Sequence, residues 1–178
     1  MPDPDDAALV AAARSGSDTA FARIVDRYQS PVRGFLRRLC GNDADADEIA
    51  QDAFLEAWTR LRTLRDGAKL KSWLFAIAWS KSKSRARSMA RTRTRETAWL
   101  SMQDTETIPG GERAMAMQQA LAQLPEDQRA AVALCLAGGW SHSEAAGVLD
   151  MPLGTVKSHV GRGRTRLMEI LGVSDDRA

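Results

Sequence analysis

The sequence predicts an all-α protein made of two small helical domains joined by a flexible linker. Only 6% of the 178 residues are aromatic, and residue types that favour helices over strands, such as Ala, Arg, Leu and Glu, are abundant. Apolar residues recur every three or four positions in several segments, as on one face of a helix. With 44% hydrophobic residues the chain is too apolar for a disordered protein, and its length suits one or two small domains.

The N-terminal half begins with two segments of helical pattern. Apolar residues between Phe21 and Leu39 form one helical face, and Gly41 is a typical residue for its end. A second apolar stripe repeats every four residues from Ile49 to Leu61. Asp45 and Glu48 have the spacing of a capping box, so we expect this helix to begin near Asp45.

A third helix is predicted to begin near Ser72, with an apolar first half and a basic second half. Between about Thr97 and Gly111 the helical pattern is lost and Thr, Pro and Gly accumulate, which predicts an interdomain linker. We therefore expect a first domain at residues 1–95, a linker at 96–112 and a second domain at 113–178.

The second domain contains a helix-turn-helix pattern. A proline followed by two acids at 125–127 favours a helix start, and Gly138-Gly139 favours its end. Ser141 and Glu144 have capping-box spacing before a short apolar helix, which the residues at 150–152 interrupt.

A further helix opens around Leu153, and its outer face is polar and basic. The apolar residues predicted to face inward are Val156, Val160, Leu167 and Ile170. Gly161 and Gly163 each lower helix propensity by about 1 kcal/mol relative to Ala, so we expect DNA or a partner to make this helix firmer. A short helix, a tight turn and a second helix of this kind form a helix-turn-helix, whose second helix enters the major groove of DNA.

Charge is distributed unevenly along the chain, although the net charge is only +2. Residues 67–95 contain nine basic and no acidic residues, whereas residues 1–66 contain nine basic and twelve acidic ones. Residues 96–178 contain seven basic and eleven acidic residues, yet the stretch 157–166 has four basic residues and no acid. Two basic islands in an otherwise acidic chain are typical of a protein that touches nucleic acid at two places.

Several function classes have no support in the sequence. Cys40 and Cys135 lie far apart, and neither His142 nor His159 is next to a cysteine, so we expect reduced core thiols and no metal site. No phosphate loop, nucleophile elbow or paired-carboxylate motif occurs, so we expect neither an enzyme nor a cofactor. The chain also lacks a long apolar run and a secretory leader pattern, which predicts a cytoplasmic protein.

Two blocks of residues resemble the extracytoplasmic-function (ECF) sigma factors. The N-terminal block, which is similar to the family's promoter-melting domain, comprises Phe21 to Tyr28, Asp45 to Trp58 and Ser72 to Ala78. The C-terminal block comprises Leu124-Pro125-Glu126, Ser141-x-x-Glu144-x-Ala146-x-x-Leu149, Gly154-Thr155-Val156-Lys157-Ser158 and Arg162-x-Arg164-x-x-Leu167. The blocks cover about residues 15–170 in the family's order. A helix-turn-helix alone would be weak evidence, because many repressors have one.

The resemblance implies a protein that binds the RNA polymerase core and directs it to promoter DNA, with no small-molecule substrate. The family's main polymerase contact maps onto the second predicted helix, at Asp47, Glu48, Gln51, Asp52, Glu56 and Trp58. Without the resemblance, the same residues would equally fit a solvated acidic face.

The resemblance also implies two DNA contacts. At the minus-10 element, a base is pulled from the stack into a pocket and cations hold the separated strands. The pocket loop would be formed by Leu64, Arg65, Asp66, Gly67, Lys69 and Leu70, and the phosphates would be held by Lys81, Lys83, Arg85 and Arg87. At the minus-35 element, base edges or adjacent phosphates would be contacted by Thr155, Lys157, Ser158 and His159, and mainly phosphates by Arg162, Arg164 and Arg166.

Two positions depart from the family pattern. Ser80 stands where members often have Asn, and it would take over that minus-10 contact without an amide; His159 stands where Arg is often found. The change at Ser80 leaves open the promoter preference at the minus-10 element and the efficiency of melting, and the change at His159 implies a weaker contact. The resemblance further implies an anti-sigma factor, often membrane-bound, as regulator.

Two other hypotheses stay open: a sigma-like decoy that binds an anti-sigma factor but not promoters, and a stand-alone helix-turn-helix regulator.

Overall fold

The computed structural model describes residues 6–95 and 111–173, and within these ranges it contains helices and turns but no strand. The α-helices are α1 (Asp6–Arg14), α2 (Asp18–Cys40), α3 (Asp43–Arg60), α4 (Leu70–Arg95), α5 (Gly111–Ala122), α6 (Glu126–Val132), α7 (His142–Leu149) and α8 (Leu153–Leu171). Short 3₁₀ turns at Leu61–Thr63 and Gly67–Lys69 connect α3 to α4, and a π-helical turn at Ala133–Ala137 prolongs α6. The prediction of an all-α fold is confirmed.

Helices α2, α3 and α4 form the core of the first domain. Most of the predicted apolar face of α2 is buried, and Ile24 and Leu36 are fully shielded from solvent, whereas Phe21 and Val25 are half-buried. The stripe of α3 from Ile49 to Leu61 is buried as predicted. Helix α4 contributes Leu74, Phe75, Ile77 and Trp79 from its apolar half to the same core.

The ends of α2 and α3 follow local sequence signals, with one correction. Gly41 ends α2 in the left-handed conformation, at φ 80°, which glycine adopts without strain. Asn42 caps α3, because its side-chain oxygen accepts a hydrogen bond from the Asp45 backbone N–H at 2.8 Å. The predicted capping box at Asp45 and Glu48 was therefore wrong: the helix begins two residues earlier, at Asp43.

Helix α1, which the sequence pattern did not reveal, packs against the back of the first domain. Leu9, Val10 and Ala13 are buried against the core. Its first residue, Asp6, is only 1% exposed, and it accepts hydrogen bonds from Arg27 and from the hydroxyl of Tyr28. Helix α1 thus joins the first domain through both apolar and polar contacts.

The second domain contains the predicted helix-turn-helix. Ser141 and Glu144 form a complete capping box at the start of α7. Asp150 ends α7 in the left-handed conformation, at φ 53°, and α8 begins at Leu153. Val156, Val160 and Leu167 are buried, as predicted. Helix α5, which the sequence pattern did not identify, packs against α8.

Gly163 has a packing role that corrects the interpretation of the two glycines in α8. A Cβ at Gly163 would lie 2.5 Å from Cγ2 of Val132, so only glycine allows α8 to approach α6 this closely. A Cβ at Gly161 would meet no atom within 4 Å. The helix is continuous through both positions in the free chain.

We expect opposite effects when these two glycines are changed to alanine. Gly163→Ala should lower the free energy of unfolding by about 1–3 kcal/mol, because the added methyl group overpacks the α6–α8 contact. Gly161→Ala should raise it by about 0.5–1 kcal/mol, because alanine stabilises a helix interior. Urea denaturation of both variants measures the difference, and equal effects would contradict the close contact.

The two domains pack against each other through apolar and polar contacts. Trp140, in the turn before α7, is only 6% exposed, and its ring centroid lies 4.9 Å from that of Phe75 in α4. The ammonium group of Lys71 lies 4.3 Å from the Trp140 ring centroid. Arg129 of α6 donates a 2.6 Å hydrogen bond to the carbonyl oxygen of Leu39. The described helices of the two domains therefore share one apolar cluster.

Candidate functional site

The outer face of α8 carries the residues predicted to read the minus-35 element. Lys157, Ser158 and the three arginines at 162, 164 and 166 are exposed, whereas Thr155 and His159 are half-buried. Arg162 donates a 2.7 Å hydrogen bond to the Ser158 hydroxyl, which holds both side chains on one face. The Nδ1 atom of His159 is buried and has no hydrogen-bond partner among the described residues. The candidate base-reading positions thus lie near the N-terminal end of an exposed, basic helix.

The loop between α3 and α4 presents a second group of candidate residues. Arg65, Asp66 and Lys69 are exposed, and Asp66 stabilises the loop by accepting a hydrogen bond from the Ala68 N–H at 3.0 Å. At Gly67, an added Cβ would lie 2.7 Å from Cα of Ala7 in α1, so the loop is closely supported from behind.

Leu64 and Leu70 are placed differently from the prediction. They are 6% and 0% exposed, so both side chains belong to the core and anchor the two ends of the loop. Their assignment to a base-binding pocket is corrected, because a buried side chain offers no surface to DNA.

The basic half of α4 lies beside α3, and three of its cations are paired with carboxylates. Ser80 and Arg87 are exposed, whereas Lys81, Lys83 and Arg85 are half-buried. The structure pairs Lys81 with Glu56, Lys83 with Asp127, and Arg85 with both Asp45 and Glu48. The sequence placed these acids and bases on separate surfaces, but the fold brings them together.

The predicted polymerase-binding residues lie on one side of α3. Gln51, Asp52 and Trp58 are exposed, and Asp47 forms a 3.1 Å ion pair with Arg33 of α2. Hydrogen bonds from Arg85 hold the pKa of Glu48 below its ordinary value. The pKa of Glu56 is likewise lowered, first by the hydrogen bond from Lys81 and then by that from Arg60. Both carboxylates are therefore ionised at neutral pH.

An apolar groove of about 760 Å³ runs between α2 and α3. The large apolar side chains that line the groove are Phe21, Val25, Phe54, Leu55 and Trp58, and its polar side chains are Asp18, Gln29, Arg33, Asp47, Glu48 and Gln51. The Phe21 and Trp58 rings meet edge to face, with centroids 4.7 Å apart. Large exposed apolar side chains that line a concave surface indicate a protein-binding site.

Sequence reasoning found Trp58 and the polar lining residues Asp47, Glu48 and Gln51, but it missed the groove's other apolar side chains. Leu55 is 59% exposed and lies two positions from both Ala53 and Ala57, on the opposite side of α3 from the buried stripe. A leucine on the polar side of an amphipathic helix is the sequence signal that could have identified the groove.

Neither cysteine takes part in a cluster that could hold a metal among the described residues. Burial raises the pKa of the Cys40 thiol to about 11, so this thiol is protonated and unreactive at neutral pH. No described helix combines the length and apolar character needed to cross a membrane.

Comparison with known proteins matches both halves of the chain to the same family. Residues 24–92 match the model for Sigma-70 region 2, and residues 114–167 match the model for Sigma-70 region 4. Similar proteins include the RNA polymerase sigma-H factor of Pseudomonas aeruginosa, which is 30% identical over 93% of both chains. The ECF RNA polymerase sigma factor SigM of Mycobacterium tuberculosis is 34% identical over 94% of this chain and 85% of its own length.

Two solved structures share the fold. The sigma factor RpoE of Bartonella quintana, in complex with the anti-sigma factor NepR, matches with a TM-score of 0.77 and 30% identity over 88% of this chain and 98% of that one. CnrH in complex with the cytosolic domain of CnrY matches with a TM-score of 0.70 and 27% identity over 96% of this chain and 99% of that one. Because both sigma regions match in order and relatives align along nearly the whole length, the chain belongs to the ECF sigma factor family.

Proposed function

We propose that this sigma factor binds the RNA polymerase core through the α2–α3 groove and the acidic side of α3. The single observation that carries this assignment is the groove itself, in which exposed aromatic and aliphatic side chains lie beside carboxylates. Such a surface fits a helical partner with an apolar ridge and basic flanks. As a member of its family, the chain regulates transcription initiation and is not an enzyme.

We assign the DNA contacts to two elements. The loop with Arg65, Asp66, Gly67 and Lys69, together with Ser80 and the cations of α4, would engage the minus-10 element. The exposed face of α8 would engage the minus-35 element, with side chains near its start at the bases and the later arginines at phosphates. Residues 1–95 would then form the region 2 domain and 113–178 the region 4 domain, with 96–112 as linker.

We also propose regulation by an anti-sigma factor in the cytoplasm. One structural neighbour is a sigma factor in complex with an anti-sigma factor, and the other, CnrH, is in complex with the cytosolic domain of CnrY; the two matches cover 88% and 96% of this chain. The packing of Trp140 against Phe75 holds the two domains together, and such a regulator would bind this closed arrangement of the domains.

In vitro transcription with purified core polymerase tests this function. We expect the chain to associate with core and to yield a defined start site on promoters selected from a genomic library. A stand-alone regulator would bind DNA without core and give no transcript, and a decoy would bind an anti-sigma protein but give no start site. Failure to associate with core would overturn the proposed function.

The minus-35 assignment is tested with Arg162→Ala in the holoenzyme. Losing a phosphate contact should reduce promoter affinity by about tenfold and lower the salt dependence of log K by about 0.9 per phosphate. Arg113→Ala is the matched control, because Arg113 is an exposed arginine of the same domain on α5. If both variants bind promoter DNA equally, Arg162 does not contact the phosphates.

A further inference from the structure

We propose that acidic residues of this chain mask three cations of α4, Lys81, Lys83 and Arg85, so that the free sigma factor binds DNA weakly until core polymerase engages α3. The masking residues are Asp45, Glu48 and Glu56 of α3 and Asp127 of α6. This inference rests on the proposed function, in which α3 faces the polymerase and α4 faces promoter DNA. These carboxylates then have a second role, which is to weaken DNA binding by the free chain.

The first part of the mask is a set of ion pairs between α3 and α4. Arg85 binds Glu48 in a two-pronged geometry, with N–O distances of 2.7 Å and 2.8 Å, and donates a further bond to Asp45 at 2.9 Å. One helical turn before Arg85, the Lys81 ammonium lies 2.7 Å from Glu56. Carboxylates thus occupy both terminal nitrogens of Arg85 and the ammonium of Lys81.

The second part of the mask comes from the other domain. Lys83 lies between Lys81 and Arg85 in sequence, and its ammonium is 3.3 Å from Asp127 of α6. The same ammonium lies 5.1 Å from the ring centroid of Trp79. Helix α3 pairs Lys81 and Arg85 but not Lys83. The contact between the two domains therefore places Asp127 beside Lys83.

Carboxylates and phosphates compete for the same donors, because both are anions that accept charge-assisted hydrogen bonds. Glu48 also lines the α2–α3 groove, where a basic partner would attract its carboxylate away from Arg85. A partner that neutralises α3 would release Arg85 and Lys81 for phosphates. By linkage, DNA bound at α4 would strengthen polymerase binding by the same factor.

The test measures DNA binding by the full chain without polymerase. The variants are the double substitution Glu48→Gln with Glu56→Gln, and the single substitution Asp127→Asn, each of which keeps the side-chain size. The probe is a fluorescent single-stranded oligonucleotide of mixed sequence, followed by anisotropy at low salt. Exposed ion pairs of this kind are individually weak, so we expect the double variant to bind about tenfold more tightly and Asp127→Asn about threefold.

A charge control separates masking from a general gain in positive charge. Asp26 on α2 and Glu112 on α5 are exposed and form no ion pair with a described residue. Asp26→Asn with Glu112→Gln therefore removes two negative charges, as the double variant does, without releasing a cation of α4, and Asp26→Asn alone matches Asp127→Asn. The proposal is overturned if the double variant gains no more affinity than the double control Asp26→Asn with Glu112→Gln. It is also overturned if the double variant loses affinity, which would show that the carboxylates position Arg85 for DNA. Core binding by the unmodified chain is measured in parallel, and its absence would count against the proposed function alone.

Discussion

Replacing Leu55 and Trp58 together with alanine should weaken the binding of core polymerase by about a hundredfold. Their side chains are 59% and 40% exposed, which is unusual for residues of this size, and both line the α2–α3 groove. Trp58 is held in place by Phe21, so it offers a rigid aromatic surface at little entropic cost. Buried anchors of this type each contribute about 1–2 kcal/mol or more to protein interfaces.

Titration of labelled sigma factor with core polymerase measures this loss. Val173→Ala is a suitable control, because Val173 is also a large apolar residue, 57% exposed, but lies beyond the end of α8. The variant should retain its helical circular dichroism spectrum, since neither side chain belongs to the buried core. Unchanged affinity in a folded double variant would place the polymerase contact elsewhere on the molecule.

The parts of the fold that the sequence predicted correctly are those set by neighbouring residues. The capping box of Ser141 and Glu144, the end of α2 at Gly41 and the apolar stripe of α3 each depend on residues within a few positions of one another. The helix-turn-helix was predictable for the same reason, and the exposed basic face of α8 followed from its periodicity.

Most of the parts that the sequence did not predict depend on residues far apart in the chain. The ion pairs of Arg85 span about 40 positions, so the charge pattern suggested two separate surfaces where the fold forms one network. From the sequence, Gly163 seemed only to lower the helix propensity of α8. In the structure, a Cβ at this position would collide with Val132 on a different helix, so glycine is needed there. Helices α1 and α5 were missed because each buries few large apolar residues.

Asp6 illustrates how much a short helix can matter when its contacts are distant. Asp6→Ala should lower the free energy of unfolding by about 2 kcal/mol, because it removes the buried acceptor of hydrogen bonds from the Tyr28 hydroxyl and from the partly exposed Arg27. In this chain the carboxylate is only 1% exposed, Arg27 lies 2.7 Å away and the Tyr28 hydroxyl donates to it as well. The substitution removes the acceptor that both α2 side chains share.

Denaturant unfolding followed by circular dichroism measures this loss of stability, with Asp26→Ala as the control for an exposed aspartate of the same domain. Asp6→Asn adds a finer test, because the amide keeps the size and one acceptor oxygen but removes the charge. If charge pairing with Arg27 is the main contribution, Asn should be nearly as destabilising as Ala. If the shape and the bond from Tyr28 matter more, Asn should recover most of the stability. A loss below about 0.5 kcal/mol for both variants, as is usual at surface positions, would contradict the buried placement of α1.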